Sequence, residues 1–241
     1  NFGARMIDTI LFDLDGTLVH HGNALMPPVL AEWGYPRSYD QVKEAVAKSI
    51  HHFYNHIAQA EEQHWADELY REFYNLTLQQ LAIPDPENSR SRALQAFFET
   101  NPVPPLFDDV TPVLETLHAQ GRRLGVITQR GRTGADRFLR EHDLDRFFGV
   151  VVAGDDGYGR KPGAGPFQRA LGVLSRQPEG AVYIGDRIDD DCEGARGAGL
   201  RHAFLIDREG VFQLEAAQRE DFSYLTDMGQ LLTHLGEVEQ G

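Results

Sequence analysis

Residues 7–17 read IDTILFDLDGT, a short apolar run that ends in two aspartates separated by one leucine. The run Ile7–Phe12 is rich in isoleucine, leucine and phenylalanine, which predicts a buried strand. Asp13 and Asp15 follow it directly, and side chains two residues apart in an extended chain point to the same side. Ligands of open α/β sheets bind at the carboxyl ends of strands, so the two carboxylates are placed where a site would form. Taken alone, the segment is equally consistent with an ordinary turn.

The rest of the chain alternates between apolar runs and amphipathic stretches. The further predicted strands are Arg123–Ile127, Val150–Ala153, Ala181–Ile184 and His202–Ile206. Predicted helices lie between them, at about 112–120, 133–142, 166–174 and 190–198. Strands that alternate with helices predict right-handed βαβ units and a parallel sheet. The fold class is therefore α/β, with a Rossmann-like, three-layer core.

Residues 20–105 interrupt this alternation. Helices are predicted at 38–60, 61–81 and 89–100, and the segment contains no convincing strand. We therefore predict an inserted α-helical cap at 20–105 and an α/β core made of 1–19 and 106–241. An insert that leaves the end of the first strand is expected to cover the site and exclude water from it.

Composition limits the class of partner. The chain has 241 residues and a net charge of −14, which disfavours binding to nucleic acid or to an anionic membrane. No apolar run approaches the roughly 20 residues that span a bilayer. Cys192 is the only cysteine, so no disulfide can form within the chain. We expect a cytoplasmic protein that binds a small molecule. An anionic ligand is compatible with the charge, because salt screens distant charges within about 10 Å.

Polar side chains also follow the other predicted strands. Thr128 comes directly after the second strand, and Lys161 lies in the loop after the third. Gly185 and Asp186 follow the fourth strand, with three more acids at 189–191. Hydroxyl, ammonium and carboxylate groups at successive strand ends are suited to phosphoryl chemistry, and four unrelated turns would not be expected to provide them by chance.

These residues carry a resemblance to a known family. DLDGTL at 13–18, GVIT at 125–128, RKP at 160–162, and IGD at 184–186 with Asp191 occur in order and at fitting spacing. In this respect the sequence resembles the haloacid dehalogenase superfamily, most of whose members are phosphatases. The match covers about 6–19 and 107–206. The position of the helical segment resembles the phosphoglycolate phosphatase-like type, whose cap lies between the first and second motifs.

The resemblance implies roles for the matched residues. Asp13 would be the nucleophile, and Asp15 would protonate the leaving group and later activate water. Thr128, Gln129 and Lys161 would bind phosphate oxygens, although Gln129 departs from the asparagine or serine that many relatives carry.

The resemblance also implies a Mg²⁺ cofactor. Its ligands would be Asp13, the backbone carbonyl of Asp15, and Asp186, since hard oxygen donors suit Mg²⁺. Asp190 or Asp191 would support the site by positioning Lys161 or a metal-bound water. The run of acids leaves open which of the two does so.

The function expected from these residues is hydrolysis of a small phosphorylated metabolite by a magnesium-dependent phosphatase, through a phospho-aspartyl intermediate. A phosphomutase or a dehalogenase of the same superfamily is the alternative, and a non-catalytic phosphate-sensing module is a third. Asp15 argues against a dehalogenase, because the dehalogenase relatives lack an acid at that position. The substrate is not readable from the sequence.

Overall fold

The computed structural model describes residues 6–57, 63–100, 102–208, 210 and 212–240. They form two compact units. One unit contains the described residues up to His20 together with those from Pro105 onward, and the other runs from His21 to Pro104.

The larger unit contains a six-stranded parallel sheet in the order β3-β2-β1-β4-β5-β6. Its strands are β1 (Thr9–Phe12), β2 (Arg123–Ile127), β3 (Phe148–Val152), β4 (Ala181–Gly185), β5 (His202–Ile206) and β6 (Ser223–Leu225). The predicted Rossmann-like α/β core is thereby confirmed. The sixth strand was not predicted from the sequence.

The first strand is central, and this position explains its composition. Leu11 pairs with Gly125 of β2 on one side and with Tyr183 of β4 on the other. All four residues of β1 are buried. A strand covered on both faces is expected to be apolar on both, which is why 10–12 shows no polar alternation. The chain therefore leaves the middle of the sheet at Asp13.

The α-helices are α1 (Met26–Glu32), α2 (Tyr39–Ile57), α3 (Gln63–Gln80), α4 (Ser89–Glu99), α5 (Val110–Ala119), α6 (Arg132–Glu141), α7 (Gly165–Leu174), α8 (Gly194–Gly197), α9 (Gln213–Ala216) and α10 (Gln230–Gln240). Short 3₁₀ turns lie at Gly22–Leu25, Pro86–Asn88, Asp145–Phe147 and Pro178–Gly180, and a π-helical turn, Ile188–Glu193, precedes α8. The helix predicted at 190–198 is therefore split into two short pieces.

Helix α7 illustrates how the helices of the larger unit bury one face. Pro166 lies in its first turn, where a missing N–H costs nothing, and Ser175 ends it in the left-handed conformation. Phe167, Ala170 and Leu171 point into the core shared with β3 and β4. Their spacing of three and four residues is the helical period.

The smaller unit has a core of its own. Its centre includes Met26, Leu30, Val42, Leu78 and Leu94, one or more from each of the helices α1 to α4. The described residues of this unit contain no strand. The junction between the helices predicted at 38–60 and 61–81 falls on 58–62, outside the described residues. Within the described part of the chain, no helix is long and apolar enough to cross a membrane.

Candidate active site

Three predicted site residues come directly after the carboxyl ends of the neighbouring strands β2, β1 and β4. The N–H of Asp13 donates to the carbonyl of Ile184 at 2.8 Å and extends the pairing of β1 with β4. The N–H of Thr128 donates to the carbonyl of Val152 at 2.9 Å and extends the pairing of β2 with β3. Asp186 directly follows β4. The sheet itself thus fixes the backbones of Asp13 and Thr128.

Lys161 lies at the centre of a buried ionic cluster. Its Nζ donates to Asp13 Oδ1 and to Asp191 Oδ1, both at 2.6 Å. The side chains of Lys161, Asp13 and Asp191 are 4%, 9% and 1% exposed. The structure therefore brings together three predicted residues from three different loops. Breaking a buried pair by removing one partner costs about 3–5 kcal/mol, so the cluster holds these loops firmly.

Tyr183 completes the surroundings of the lysine and was not anticipated from the sequence. Its hydroxyl lies 2.8 Å from Lys161 Nζ and donates to the carbonyl of Ile127 at 3.1 Å. Its ring packs edge-on against Phe167, with ring centroids 5.1 Å apart. A buried tyrosine hydroxyl needs a hydrogen-bond partner. The presence of a tyrosine in an otherwise aliphatic strand was the one sequence signal that could have predicted such a contact.

The structure distinguishes the two candidate acids of the fourth motif. Asp191 binds Lys161, and its second oxygen accepts from the backbone N–H of Arg187 at 3.0 Å. Asp190 instead pairs with the Arg187 guanidinium, at 3.0 Å from Nε. A Cβ atom at Gly185 would lie 2.2 Å from Asp191 Cγ, so only glycine allows this carboxylate to pack against the end of β4.

A group of acids surrounds the lysine. Carboxylate oxygens of Asp13, Asp186 and Asp191 lie within 4.8 Å of one another. One lysine faces these three acids, so the cluster carries excess negative charge when all are ionised. Three hard oxygen donors with this excess negative charge fit a divalent cation such as Mg²⁺. The predicted ligands Asp13 and Asp186 belong to this group, which also includes Asp191.

The electrostatics of the cluster follow from burial and charge. Burial raises the pKa of Asp13 well above its usual range; Lys161 opposes this shift, whereas Asp191 and Asp186 add to it. Burial disfavours the charged form of Lys161, but Asp13 and Asp191 outweigh it and raise the lysine pKa. Lys161 therefore stays charged, and a further positive charge beside Asp13 would favour its ionised form.

Asp15, the predicted acid, is held by an arginine. Both of its oxygens accept hydrogen bonds from Arg130, from Nε at 3.1 Å and from Nη2. The N–H of Arg130 donates to Thr128 Oγ1 at 3.0 Å. Sequence reasoning missed Arg130, because its partner lies 115 residues away and the only local signal was its position two residues after Thr128.

The amide of Gln129 bonds to the loop that carries Lys161. Its Nε2 donates to the Lys161 carbonyl at 3.1 Å, and its Oε1 accepts from Arg160 Nε at 3.1 Å. Phosphate binding by Gln129 remains a prediction, and it would require these bonds to open. The role of the Asp15 backbone carbonyl as a metal ligand also remains a prediction.

A parallel α/β core with acids and a buried lysine at its strand ends defines a class of hydrolases. The family model described as haloacid dehalogenase-like hydrolase matches residues 7–199. The chain therefore belongs to this family.

Relatives extend over nearly the whole chain. The pyrophosphatase PpaX of Bacillus thuringiensis (strain Al Hakam) is 29% identical over 242 residues, which cover 97% of this chain and 99% of the relative. Among solved structures, YfnB of Bacillus subtilis, in a form bound to magnesium, has a TM-score of 0.71 at 18% identity and covers 96% of this chain and 99% of its own. A predicted phosphoglycolate phosphatase of Haemophilus somnus 129PT has a TM-score of 0.63 at 21% identity, with coverage of 97% and 99%. These two structures establish similarity of fold.

Proposed function

We propose that the chain is a magnesium-dependent phosphatase that hydrolyses a small phosphorylated metabolite in the cytoplasm through a phospho-aspartyl intermediate. The observation that carries this proposal is the buried bond between Lys161 Nζ and Asp13, at 2.6 Å. It places a permanent cation beside a carboxylate at the end of the central strand. Phosphoryl transfer needs a nucleophile together with charge that offsets the phosphate oxygens.

In the proposed first step, a carboxylate oxygen of Asp13 attacks phosphorus while the bond from phosphorus to the leaving oxygen breaks. Asp15 gives a proton to that oxygen. In the second step, water attacks the phosphorus of the acyl phosphate and Asp15 takes up a proton from the water. The bond from phosphorus to Asp13 breaks, which regenerates the carboxylate and releases inorganic phosphate. Lys161 and Thr128 hold the phosphate oxygens in both steps.

A divalent cation would be held by Asp13 and Asp186, with the backbone carbonyl of Asp15 as a further ligand. Asp191 would stand beside it. When bound, the cation supplies positive charge that lets an anionic nucleophile approach an anionic phosphate. The excess of carboxylates over cations in the cluster supports this assignment.

Hydrolysis of a phosphoanhydride is a second candidate activity. It is favoured by the pyrophosphatase relatives, which match nearly the full length of the chain. The same residues would perform both reactions, because an ester and an anhydride differ only in the leaving group. A dehalogenase is disfavoured by Asp15, while a phosphomutase shares the core chemistry and differs in where the phosphoryl group is delivered.

The test is release of inorganic phosphate from p-nitrophenyl phosphate and from pyrophosphate, followed by trapping of the intermediate. We expect turnover in Mg²⁺, and an acid-quenched sample whose Asp13 peptide gains the mass of one phosphoryl group. Turnover of a sugar phosphate without phosphate release would instead identify a mutase. No turnover and no phosphorylated peptide would leave the phosphate-sensing module as the surviving alternative.

A further inference from the structure

We propose that Arg130 is a specificity-determining residue that recognises a second anionic group on the substrate, close to the scissile phosphorus. The inference rests on the proposed function. It narrows the substrate class to phosphate esters or anhydrides that carry another phosphate or a carboxylate near the reacting group.

Arg130 occupies a place next to the reacting groups. It is two residues beyond Thr128, and its backbone N–H donates to the Thr128 hydroxyl at 3.0 Å. Its side chain reaches Asp15, and the two side chains are 21% and 27% exposed. A ligand that reached Asp15 would therefore also reach the guanidinium.

The pairing of Arg130 with Asp15 competes with the proposed role of Asp15 as the general acid and base. Both carboxylate oxygens accept hydrogen bonds from the guanidinium, so in this arrangement both are engaged by Arg130 and not by a leaving group. A competing acceptor that draws Arg130 away would therefore free Asp15 to contact the leaving oxygen. A second anionic group on the substrate is such an acceptor, whereas a neutral leaving group is not.

The guanidinium can accommodate that acceptor. Nε and Nη2 bind Asp15, and among the described residues none accepts a hydrogen bond from Nη1. Burial disfavours its charged form, but Asp15 and then Asp13 outweigh burial and raise the Arg130 pKa. A permanently charged, planar group with donors to spare suits a phosphate or a carboxylate.

Helix α6 makes room for this arginine. A Cβ atom at Gly134 would lie 3.3 Å from both Cγ and Cδ of Arg130. Glycine is among the least favourable residues inside a helix, so its occurrence in the first turn of α6 needs a reason. The close approach of the arginine stem supplies one.

The test compares substrates that differ in the second charge. Phosphoglycolate carries a carboxylate, 2-hydroxyethyl phosphate is its neutral counterpart, and pyrophosphate carries a second phosphate. We expect Arg130→Gln to lower kcat/KM for both doubly anionic probes by about 10- to 100-fold, mainly through KM, because charge-assisted hydrogen bonds are lost. For 2-hydroxyethyl phosphate, the change should stay within about threefold. The two anionic probes also reveal whether phosphate or carboxylate is preferred.

Two further variants sharpen the result. Arg130→Lys keeps the charge but loses the planar guanidinium, so its loss of kcat/KM on the two doubly anionic probes should be intermediate. It replaces Arg130→Gln in the test if that variant does not fold. Arg137→Gln is the matched control, since Arg137 pairs with Glu141 on the exposed side of α6. It should leave all three reactions unchanged.

Equal losses on all three probes would overturn the inference and leave Arg130 as a residue that only positions Asp15. Unchanged selectivity in Arg130→Gln would overturn it as well, while turnover by the wild type would leave the proposed function intact. If the wild type hydrolyses none of the probes, the proposed function has failed. In that case, calorimetric binding of pyrophosphate decides about Arg130: weaker binding by Arg130→Gln supports recognition, and equal binding overturns it.

Discussion

Lys161 and Asp191 form a buried ion pair in which Nζ lies 2.6 Å from Oδ1, and the Asp191 side chain is only 1% exposed. The second oxygen of the same carboxylate is bound by the backbone N–H of Arg187. Asp191 thus joins the loop after β3 to the loop after β4. Because Nζ also binds Asp13, the position of the proposed nucleophile depends on this pair.

Asp191→Asn should therefore reduce activity while preserving the fold. An asparagine carbonyl can still accept a hydrogen bond from Lys161, but the charge that holds the ammonium in place is lost. Misplacement of a catalytic group by about 1 Å can cost on the order of 10²-fold, and we expect a loss of kcat of this size. The matched control is Asp190→Asn, whose side chain pairs with Arg187 and is 25% exposed. Equal losses in the two variants would contradict the assignment of Asp191 as the supporting acid.

The two acids of the first motif should differ in the degree of loss. Asp13→Asn should abolish turnover and the phosphorylated peptide, because an amide is not a nucleophile toward phosphorus. Asp15→Asn should lower kcat by about 10²–10⁴-fold through lost proton transfer. Steady-state rates and circular dichroism would be measured on both, with the exposed Asp189→Asn as the control. Near-wild-type turnover by Asp13→Asn would disprove the mechanism.

Metal dependence should be visible in stability as well as in activity. After treatment with a chelator, the carboxylates of Asp13, Asp186 and Asp191 repel one another, and activity should be lost. Mg²⁺ should restore activity and raise the Tm, since a ligand that binds only the folded state stabilises it by about 2.7 kcal/mol at a hundred times its Kd. Ca²⁺, which tolerates bidentate carboxylates, should inhibit.

Asp186→Asn tests the ligand assignment directly. The variant should fold but lose most of the rise in Tm that Mg²⁺ causes in the wild type. Full activity of the chelator-treated wild type would refute Asp186 as a required ligand. A rise in Tm that is unchanged in Asp186→Asn would refute it independently of activity.

Local sequence was enough to predict the strands that carry the site and most of the helices between them, but it did not predict the sixth strand. The β1 and β4 segments are apolar runs bounded by Gly or Asp, so their ends could be located within one or two residues. Ser223–Leu225 was missed because three residues without an apolar run give no periodic signal. The predicted roles of the site residues remain predictions, even though the structure brings Asp13, Lys161 and Asp191 into contact.

The residues that escaped prediction act through distant partners. In the sequence, Tyr183 looks like an ordinary core residue of β4. The role of its hydroxyl becomes visible only in the fold, which places it beside Lys161, 22 residues away in the chain. Arg130 appears as a loop arginine until the fold places Asp15, 115 residues earlier in the chain, against it. Contacts of this kind depend on tertiary structure rather than on spacing.

Tyr183→Phe should show how much the Lys161 cluster depends on one hydroxyl. The ring would keep its packing against Phe167, while Lys161 would lose one acceptor and the Ile127 carbonyl its donor. A buried acceptor left without a partner costs about 1–3 kcal/mol, so unfolding in urea should report a loss of this size together with a lower kcat. Tyr224→Phe is the control, because its hydroxyl bonds to Asp207 instead. A kcat that falls equally in both variants would argue against a specific role for Tyr183.

His202 should make the stability of the larger unit depend on pH. Burial lowers the pKa of His202 below 6.5, with His234 and Arg201 adding to the shift, and its Nε2 lies 2.9 Å from Ser223 Oγ. The imidazole is therefore protonated more readily in the unfolded chain than in the folded one. Its contribution to stability is fully present above about pH 6.5 and is lost as the pH falls through the folded-state pKa. Within that window, the slope from one such group is at most about 1.4 kcal/mol per pH unit.

The measurement is the free energy of unfolding in urea at several pH values between about 5 and 8, a range that brackets the ordinary histidine pKa. In His202→Gln, the decline toward acid should be shallower than in the wild type, because the variant has no imidazole at this position to take up a proton on unfolding. Ser223→Ala removes the hydrogen-bond partner and keeps the buried imidazole, so it should be less stable at every pH yet retain the wild-type slope. Identical slopes in the wild type and His202→Gln would show that other groups cause the acid sensitivity.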